Sequence, residues 1–170
     1  MAWTCACCGR SFEGLPLDYG TSAPSDWFAL PEAVREARAR LSEDLCMIDR
    51  KSFYVRGCLE IPIAGSGACL TWGIWVAVGA ADFGHVLDHW NDPIPAGDPP
   101  LDGELASWLD GYPKPEHVAC QLVLRDGNLR PLILLAPGDY PLALEQHQGI
   151  DWHRVEEIAT AARAVRSGAA

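Results

Sequence analysis

The chain has 170 residues, of which 49% are hydrophobic and 21% charged, so it is long enough to bury one core without disulfides. Its formal net charge of −10 at pH 7 opposes attraction to phosphate backbones, which excludes nucleic acid as an expected partner. The apolar stretch at 70–81 is too short to span a bilayer, and the N-terminus has no basic lead before an apolar run. We therefore expect a cytoplasmic protein with no membrane partner, whose acidic surface favours a basic protein partner or a cation, or serves solubility alone.

One domain is expected over residues 1–170. Residues 1–25 are expected to form a knuckle-like turn and a loop that wraps the core, 26–166 an α+β core, and 167–170 a frayed tail. The proline-rich segment at 91–103 forbids regular structure, and the residues after it are too few to hold a core of their own. We therefore interpret this segment as a surface loop and not as a linker between domains.

The cysteines near the N-terminus have the form of a zinc knuckle. Cys5 and Cys8 are separated by two residues and followed by Gly9, a spacing that turns both thiolates toward one ion. Two thiolates fill half of a tetrahedral site, so another cysteine or a histidine has to complete it. The candidate cysteines are Cys7, Cys46, Cys58, Cys69 and Cys120. The alternatives are a reduced turn without metal and a disulfide. Clustered thiols in a reducing cytosol favour metal binding or redox chemistry over a disulfide framework.

Periodicity predicts one helix and one short strand before the centre of the chain. A helix is expected over 30–41, with Pro31 in its first turn and an apolar stripe that ends at Leu41. Residues 13–25 are expected to be a loop, and 44–49 a short strand that leads into the next element.

The stretch at 52–78 predicts two long strands joined by a tight turn at 64–67. Apolar and polar residues alternate in the first arm, which is typical of a half-buried strand. In the second arm Trp72 belongs to the apolar face and Trp75 adds an apolar group to the other face. The second arm is therefore expected to be a central strand.

A short helix is predicted over 81–90, with Leu87 among its inward residues. The spacing of His85 and His89 suits a helical metal site to which Asp82 adds an oxygen. We interpret these three residues instead as the solvated polar face of the helix, with Asp82 as a cap.

The remainder of the chain predicts a second pair of strands and two more helices. Residues 104–109 are expected to form a helical turn, and 117–125 and 129–135 two strands around an Asp-Gly turn. Pro131 implies that the last strand lies at an edge or starts after this residue. A short helix and a longer helix capped by Asp151 end the chain. The order of elements predicts an α+β fold, with an antiparallel sheet built on two hairpins and helices packed mainly on one face.

Four polar residues are the candidates for a ligand site: Arg56, Glu60, Arg130 and Glu145. Arg56 and Glu60 share a strand face with Cys58 between them. The Arg56 guanidinium suits a carboxylate or a phosphate as a bidentate donor. The alternative is a set of ion pairs and caps that fix the sheet to its loops.

A series of short motifs runs through the chain in a fixed order. They are Cys5, Cys8 and Gly9, then Gly14-Leu15-Pro16, Leu41-Ser42-x-Asp44-Leu45-Cys46, Phe53 with Arg56-Gly57, Leu59-Glu60-Ile61-Pro62, Trp72-Gly73-x-Trp75-Val76, Arg130-Pro131, Pro141-Leu142-Ala143, Glu145-Gln146 and Gly149-Ile150. Together they resemble the bacterial family catalogued as domain of unknown function 2199, from Cys5 to about Glu157. The family has no assigned activity, so the resemblance implies no mechanism. It implies histidines in relatives where this chain has Phe12 and Tyr140, so a zinc site here would lack two ligands unless Cys46 or Cys7 compensates.

Two classes of function fit the sequence. The first is a non-catalytic protein-binding module, such as a regulator or a toxin-neutralising immunity protein, because the chain is small, acidic and rich in tryptophan. An exposed patch that contains Trp27, Trp75, Trp90 and Trp108 would favour this class. The second is a small-ligand-binding protein or an enzyme, with or without zinc, that uses the polar groups near Arg56.

The cysteine spacing predicts that the protein purified without chelator carries about one zinc ion per chain. The double substitution Cys5→Ser/Cys8→Ser removes the two thiolates and is expected to remove the metal. Elemental analysis combined with thiol titration measures both quantities. Metal-free protein with freely reactive thiols would exclude the zinc site.

Overall fold

The computed structural model describes residues 2–4, 9, 11–126 and 129–168. Cys5 and Cys8 lie outside this part of the chain. The elements in chain order are β1 (Ala2–Thr4), β2 (Ser11–Glu13), β3 (Asp18–Gly20), α1 (Ser25–Ala29), α2 (Glu32–Arg38), β4 (Ala39–Leu41), β5 (Leu45–Ile48), β6 (Ser52–Pro62), β7 (Cys69–Val78), α3 (Ala80–Asp88), β8 (Leu101–Leu105), β9 (Ala119–Val123), β10 (Leu132–Leu135), α4 (Pro141–Gln148) and α5 (Trp152–Gly168).

The two longest strands, β6 and β7, form one antiparallel ribbon. Their register runs from the pair Phe53 and Val78 to the pair Pro62 and Cys69. The connecting turn places Gly65 and Gly67 at φ angles of 72° and 66°, a conformation that glycine adopts without steric cost. β7 has a strand on each side, so the prediction that it is central is confirmed.

Five strands close into a barrel. β7, β8, β9 and β10 are successive antiparallel neighbours, and Leu132 of β10 then pairs in parallel with Cys58 of β6. The α+β class is confirmed, but the predicted antiparallel sheet is a closed barrel rather than an open sheet. Alternation in a strand indicates which face is buried, whereas closure depends on which distant strands become neighbours. Outside the ring, β3 joins β7, and β5 and β4 extend β6.

Helix α4 completes the seam between β10 and β6. Leu132 is the only described β10 residue with a partner on β6. Further along β10, the Leu135 amide donates to Oε1 of Gln146 at 2.8 Å, and Nε2 of Gln146 donates to the Ile133 carbonyl at 2.7 Å. The Gln146 side chain therefore satisfies the backbone groups that a neighbouring strand would otherwise pair.

The ribbon buries both of its faces. Val55, Leu59 and Ile74 on one face are fully buried in the barrel interior, together with side chains from α4 and α5. Tyr54 and Trp75 on the other face belong to a second, smaller core against β4 and β5. This second core explains why Trp75 interrupts the alternation of β7, because its indole ring is as fully buried as the barrel residues.

Of the predicted helical segments, one is shorter in the structure and another begins as a strand. The helix expected over 30–41 ends at Arg38, because Ala39 turns to extended backbone and is buried against the second core. The apolar residue predicted to end its stripe, Leu41, is exposed. The turn expected over 104–109 begins instead as β8, since Leu101 and Leu105 both point into the barrel.

Two smaller expectations also differ from the structure. The loop predicted over 13–25 contains β3, and α1 begins at its last residue. Leu87, predicted to face inward on α3, is 49% exposed.

The N-cap predicted for the last helix is confirmed, because the Arg154 amide donates to Oδ1 of Asp151 at 2.8 Å. Among the described residues, no helix is both long enough and apolar enough to cross a membrane.

The closure of the barrel predicts a large effect of one methyl group at Gly57. A Cβ there would lie 2.7 Å from Cγ1 of Ile133 and 2.8 Å from the Pro131 carbonyl oxygen. Gly57→Ala is expected to lower the free energy of unfolding by about 1–3 kcal/mol, because β10 has to move away from β6. The measurement is equilibrium denaturation in urea.

Gly84 in α3 provides the matched control. A Cβ at this position would meet no atom within 4 Å. Gly84→Ala is expected to raise the free energy of unfolding by about 0.5–1 kcal/mol, because alanine favours the helix. Equal stability of the two variants would contradict the tight contact between β6 and β10.

Candidate functional site

Three of the four predicted ligand residues meet on the outer face of β6. Arg56 and Glu60 lie on this face with Cys58 between them, and Arg130 approaches from the segment before β10. Nη1 of Arg125 lies 4.0 Å from Oε1 of Glu60, and Nε of Arg125 donates to the Arg130 carbonyl at 2.7 Å. This arginine cluster, defined as Arg56, Arg125 and Arg130, concentrates positive charge on one face of an acidic protein.

The arginines of the cluster differ in how their charge is compensated. Arg130 forms an ion pair with Asp44, and the hydrogen bond in this pair raises the pKa of Arg130. The Asp44 carbonyl accepts the Arg56 amide at 2.8 Å, so the same residue also anchors the β6 backbone. The Asp44 carboxylate pairs with Arg130, and its charge also favours the protonated form of Arg56.

Arg56 is a partly buried cation without an ion pair among the described residues. Burial lowers its pKa, and the neighbouring Arg130 lowers it further. Nη1 donates to the Glu43 carbonyl at 3.3 Å, while Nε has no acceptor within the described part of the chain. The guanidinium lies over two glycines, since a Cβ on Gly20 or Gly73 would be 2.8 Å or 3.3 Å from Nη2.

Glu145, the fourth predicted ligand residue, belongs to a different network. Its Oε2 accepts the Tyr112 hydroxyl at 2.5 Å, and its Oε1 accepts Nε of Arg154 at 2.7 Å. Burial and then the hydrogen bond to Glu145 raise the pKa of Tyr112. The Arg154 guanidinium also lies 5.3 Å from the centre of the Tyr112 ring. These contacts tie α4 to α5 and to the loop after β8.

Of the cysteines predicted to bind zinc at one site, Cys46 lies in the described part of the chain, whereas Cys5 and Cys8 lie outside it. Cys46 is buried in the second core, where burial and then Asp26 raise its pKa to about 11. The raised pKa favours the protonated thiol of Cys46, whereas zinc binds the thiolate form. The zinc site with Cys5 and Cys8 stays a prediction. Nε2 of His85 contacts Oδ2 of Asp98 at 2.9 Å, and Nδ1 of His89 donates to the His85 carbonyl at 3.0 Å. No three described metal-binding side chains cluster around one point.

A groove on the barrel wall was not predicted from the sequence. The acidic groove, as we call it, is an open concavity of about 520 Å³ lined by residues 114, 116–119 and 136–141. Glu116 and Asp139 contribute carboxylates to its lining, and Lys114 contributes an ammonium group. Glu104 on β8 lies outside the lining, but its Oε2 is 3.3 Å from Nδ1 of the lining residue His117. These acidic residues are widely spaced in sequence, so only the fold brings them to one groove.

The backbone of His117 is unusual. Its φ angle of 51° lies in the left-handed region, which costs a non-glycine residue about 1–2 kcal/mol. The side chain is 90% exposed, so burial of the ring does not offset this cost. Strain of this kind, held in an exposed loop beside a groove, is a pointer to function.

The tryptophans do not form one exposed patch. Trp75 is fully buried, and Trp27 and Trp90 are half-buried against the two cores. Trp108 is 58% exposed. The sequence-based criterion for a tryptophan-rich interface is therefore not met, and the charge of the surface is the remaining argument for a protein partner.

The comparison with known proteins identifies a family and no activity. Residues 4–150 match the family described as "Uncharacterized protein conserved in bacteria (DUF2199)". No curated protein and no solved structure matches the chain. The match spans most of the sequence, so the chain belongs to this bacterial family and the resemblance seen in its motifs is confirmed.

Proposed function

We propose that this member of the family is a non-catalytic protein-binding module that takes a basic segment of a partner in the acidic groove. The observation that carries the proposal is that Glu116 and Asp139 line one open concavity, with Glu104 in contact with another of its lining residues, His117. A regulator or an immunity protein would use a surface of this kind.

The charge of the groove suits recognition more than tight binding. Exposed ion pairs contribute about 0–1 kcal/mol each, so the carboxylates of the groove give modest affinity. They also steer a basic partner toward the groove and reject acidic ones, an effect that the net charge of −10 reinforces at low salt. Binding is therefore expected to weaken as the ionic strength rises.

The thiols of the fold are poorly suited to nucleophilic catalysis. Burial raises the pKa of Cys46 to about 11 and that of Cys120 to about 12. Both thiols are protonated at neutral pH, and a protonated thiol is a weak nucleophile. This supports a binding role over covalent catalysis by these two residues.

The acidic groove predicts selective loss of binding when two of its carboxylates are neutralised. Glu116→Gln/Asp139→Asn is expected to weaken binding of a lysine-rich synthetic peptide roughly fivefold to thirtyfold, because two exposed pairs of about 0.5–1 kcal/mol are lost. Isothermal titration calorimetry measures the dissociation constant. The control Glu32→Gln/Glu36→Gln removes the same charge from the exposed face of α2. An equal loss in both double variants would mean that net charge alone attracts the peptide.

A second candidate function is the binding of a small anion at the arginine cluster, by a ligand-binding protein or an enzyme. The specific observation in its favour is that Arg56 is partly buried beside Arg130 and has no described carboxylate partner. A phosphate or carboxylate would restore the favourable interactions that burial removes from the guanidinium. Glu60 and Cys58 on the same face would contact the ligand. A zinc-dependent reaction would also need the metal at Cys5 and Cys8.

The anion candidate predicts a strong effect at Arg56. Arg56→Gln is expected to weaken binding of inorganic phosphate at least about tenfold, and Arg56→Lys to weaken it less, because lysine keeps the charge without the bidentate geometry. The measurement is calorimetric titration at low ionic strength. Arg50→Gln is the control, since Arg50 is an exposed turn residue outside the cluster. Phosphate binding that is unchanged in Arg56→Gln would rule out this site.

A further inference from the structure

A concave site of the opposite charge lies where α2, β4 and the turn between β5 and β6 meet. The basic groove, as we call it, is an open concavity of about 330 Å³. Its lining consists of Ala37, Arg38, Arg40, Met47, Asp49 and Arg50. Three arginines against one carboxylate leave a formal charge of +2 in a protein whose net charge is −10. The basic groove shares no lining residue with the acidic groove, so it is independent of the function proposed above.

The acidic residue of the lining is already paired. Nε and Nη2 of Arg38 donate to the two carboxylate oxygens of Asp49, and these hydrogen bonds lower the pKa of the Asp49 carboxyl. Nη1 of Arg40 donates to the Ala39 carbonyl at 2.7 Å, a contact that leaves the charge of Arg40 uncompensated. Neither Arg40 nor Arg50 forms an ion pair with a described carboxylate. The groove therefore presents two cations that are available to an anion.

Arg50 occupies a backbone position that suits glycine. The Lys51 amide donates to the Ile48 carbonyl at 3.0 Å, and the two central residues of this turn, Asp49 and Arg50, have φ angles of 57° and 56°. Two positive φ angles are typical of a type I′ turn, whose second central residue is preferentially glycine. Aspartate tolerates this conformation, whereas arginine adopts it only at a cost. Arg50 is exposed, so burial of its side chain does not offset that cost, and strain of this kind points to a function of the guanidinium.

An apolar concavity lies beside the basic groove. It has a volume of about 240 Å³, and Arg40 and Met47 line both concavities. Leu41, Leu45 and Phe83 supply its apolar walls. Methionine is flexible and polarizable, which suits a surface that receives apolar side chains of varied shape. The two concavities together offer a cationic half next to an apolar half.

We propose that these two concavities bind a short acidic segment of a partner protein that contains one large apolar residue. The carboxylates of the segment contact Arg40 and Arg50, and its apolar side chain packs against Met47. A small anion is a poor match, because exposed ion pairs are individually weak and affinity requires several pairs together with apolar burial. The net charge of −10 disfavours a long polyanion, whereas a short acidic segment meets mainly the local charge of the basic groove.

Three capped pentapeptides separate the two interactions. Acetyl-Glu-Glu-Leu-Glu-Glu-amide, the acidic leucine peptide, carries both the negative charge and the apolar residue. Acetyl-Gln-Gln-Leu-Gln-Gln-amide keeps only the leucine, and acetyl-Glu-Glu-Ser-Glu-Glu-amide keeps only the charge. Each is titrated into the full chain labelled with ¹³C at the methionine methyl groups, and these signals are followed by NMR. The chain has two methionines, so the Met47 signal is assigned by its absence in Met47→Leu.

The acidic leucine peptide is expected to shift the Met47 methyl signal and to bind at least about fivefold tighter than either of the other peptides, since each of those lacks one of the two interactions. Arg40→Gln is expected to weaken its binding about threefold to fivefold, which corresponds to the loss of one exposed ion pair. Lys51→Gln removes an equal exposed charge next to the turn but outside the lining, and is expected to weaken binding less than about twofold.

Arg50→Gly separates the strain of the turn from the binding of the peptide. Glycine adopts the left-handed conformation without steric cost, so this variant is expected to raise the urea midpoint of unfolding. The same substitution removes one cation and is expected to weaken binding of the acidic leucine peptide about threefold to fivefold. A lowered midpoint would show that the Arg50 side chain supports the fold, which would contradict the functional origin of the strain.

Each contrary result overturns the proposal. An unchanged Met47 signal at the highest soluble peptide concentration would mean that no segment of this kind occupies the groove. Equal affinity for the three peptides would remove both the charge and the apolar residue from the ligand class. Equal losses in Arg40→Gln and Lys51→Gln would mean that net charge alone attracts the peptide. Arg40 and Lys51 are exposed and Met47→Leu conserves apolar volume, so all three variants are expected to fold.

Discussion

The parallel contact between β10 and β6 is the constraint on which the rest of the architecture depends. It converts a run of antiparallel neighbours into a ring, and it does so through the residues around Gly57, where the two strands approach too closely for a Cβ. Once the ring is closed, apolar side chains of five strands share one interior. The outer face of β6 then becomes a fixed surface on which Arg56 and Glu60 are presented.

The two faces of the β6–β7 ribbon carry different functional side chains. On the barrel side the ribbon contributes Trp72, whose ring packs against Tyr19 and Tyr112. On the outer side it contributes Arg56, whose guanidinium crosses Gly73 and reaches Gly20. Gly20 and Gly73 have no side chains, so the Arg56 guanidinium lies directly against their backbone and is partly buried there. One layer of sheet thus separates the Trp72 ring from the Arg56 guanidinium.

Local patterns in the sequence predicted the local structure well. The alternation in 52–62 and the capping residue Asp151 each act within a few residues, so β6 and the start of α5 could be placed. Barrel closure could not, because Leu132 meets Cys58 through a backbone contact that leaves no periodic signal. β8 was missed for the same reason, since its two inward leucines are recognised only when their neighbours across the barrel are known.

In the candidate sites, too, local patterns were predictable and contacts between distant residues were not. Arg56 and Glu60 could be assigned to one face from strand periodicity, but the pairing of Arg130 with Asp44 joins residues 86 positions apart. Glu145 has a suitable side chain for a ligand site, and only the fold reveals that Tyr112 and Arg154 already occupy its oxygens. The acidic groove is formed by two loops whose mutual approach no local sequence pattern encodes.

The use of a helix side chain to complete the sheet has a consequence for the dynamics of the seam. A strand neighbour is held by a ladder of several bonds, whereas Gln146 holds β10 through a single amide group. If α4 undocks locally, the Leu135 amide loses its acceptor while the antiparallel ladder between β9 and β10 stays intact. Hydrogen exchange at Leu135 therefore reports the opening of α4, and the amides bonded between β9 and β10 report the unfolding of the barrel. Equal exchange rates at both places would show that the seam and the barrel open as one unit.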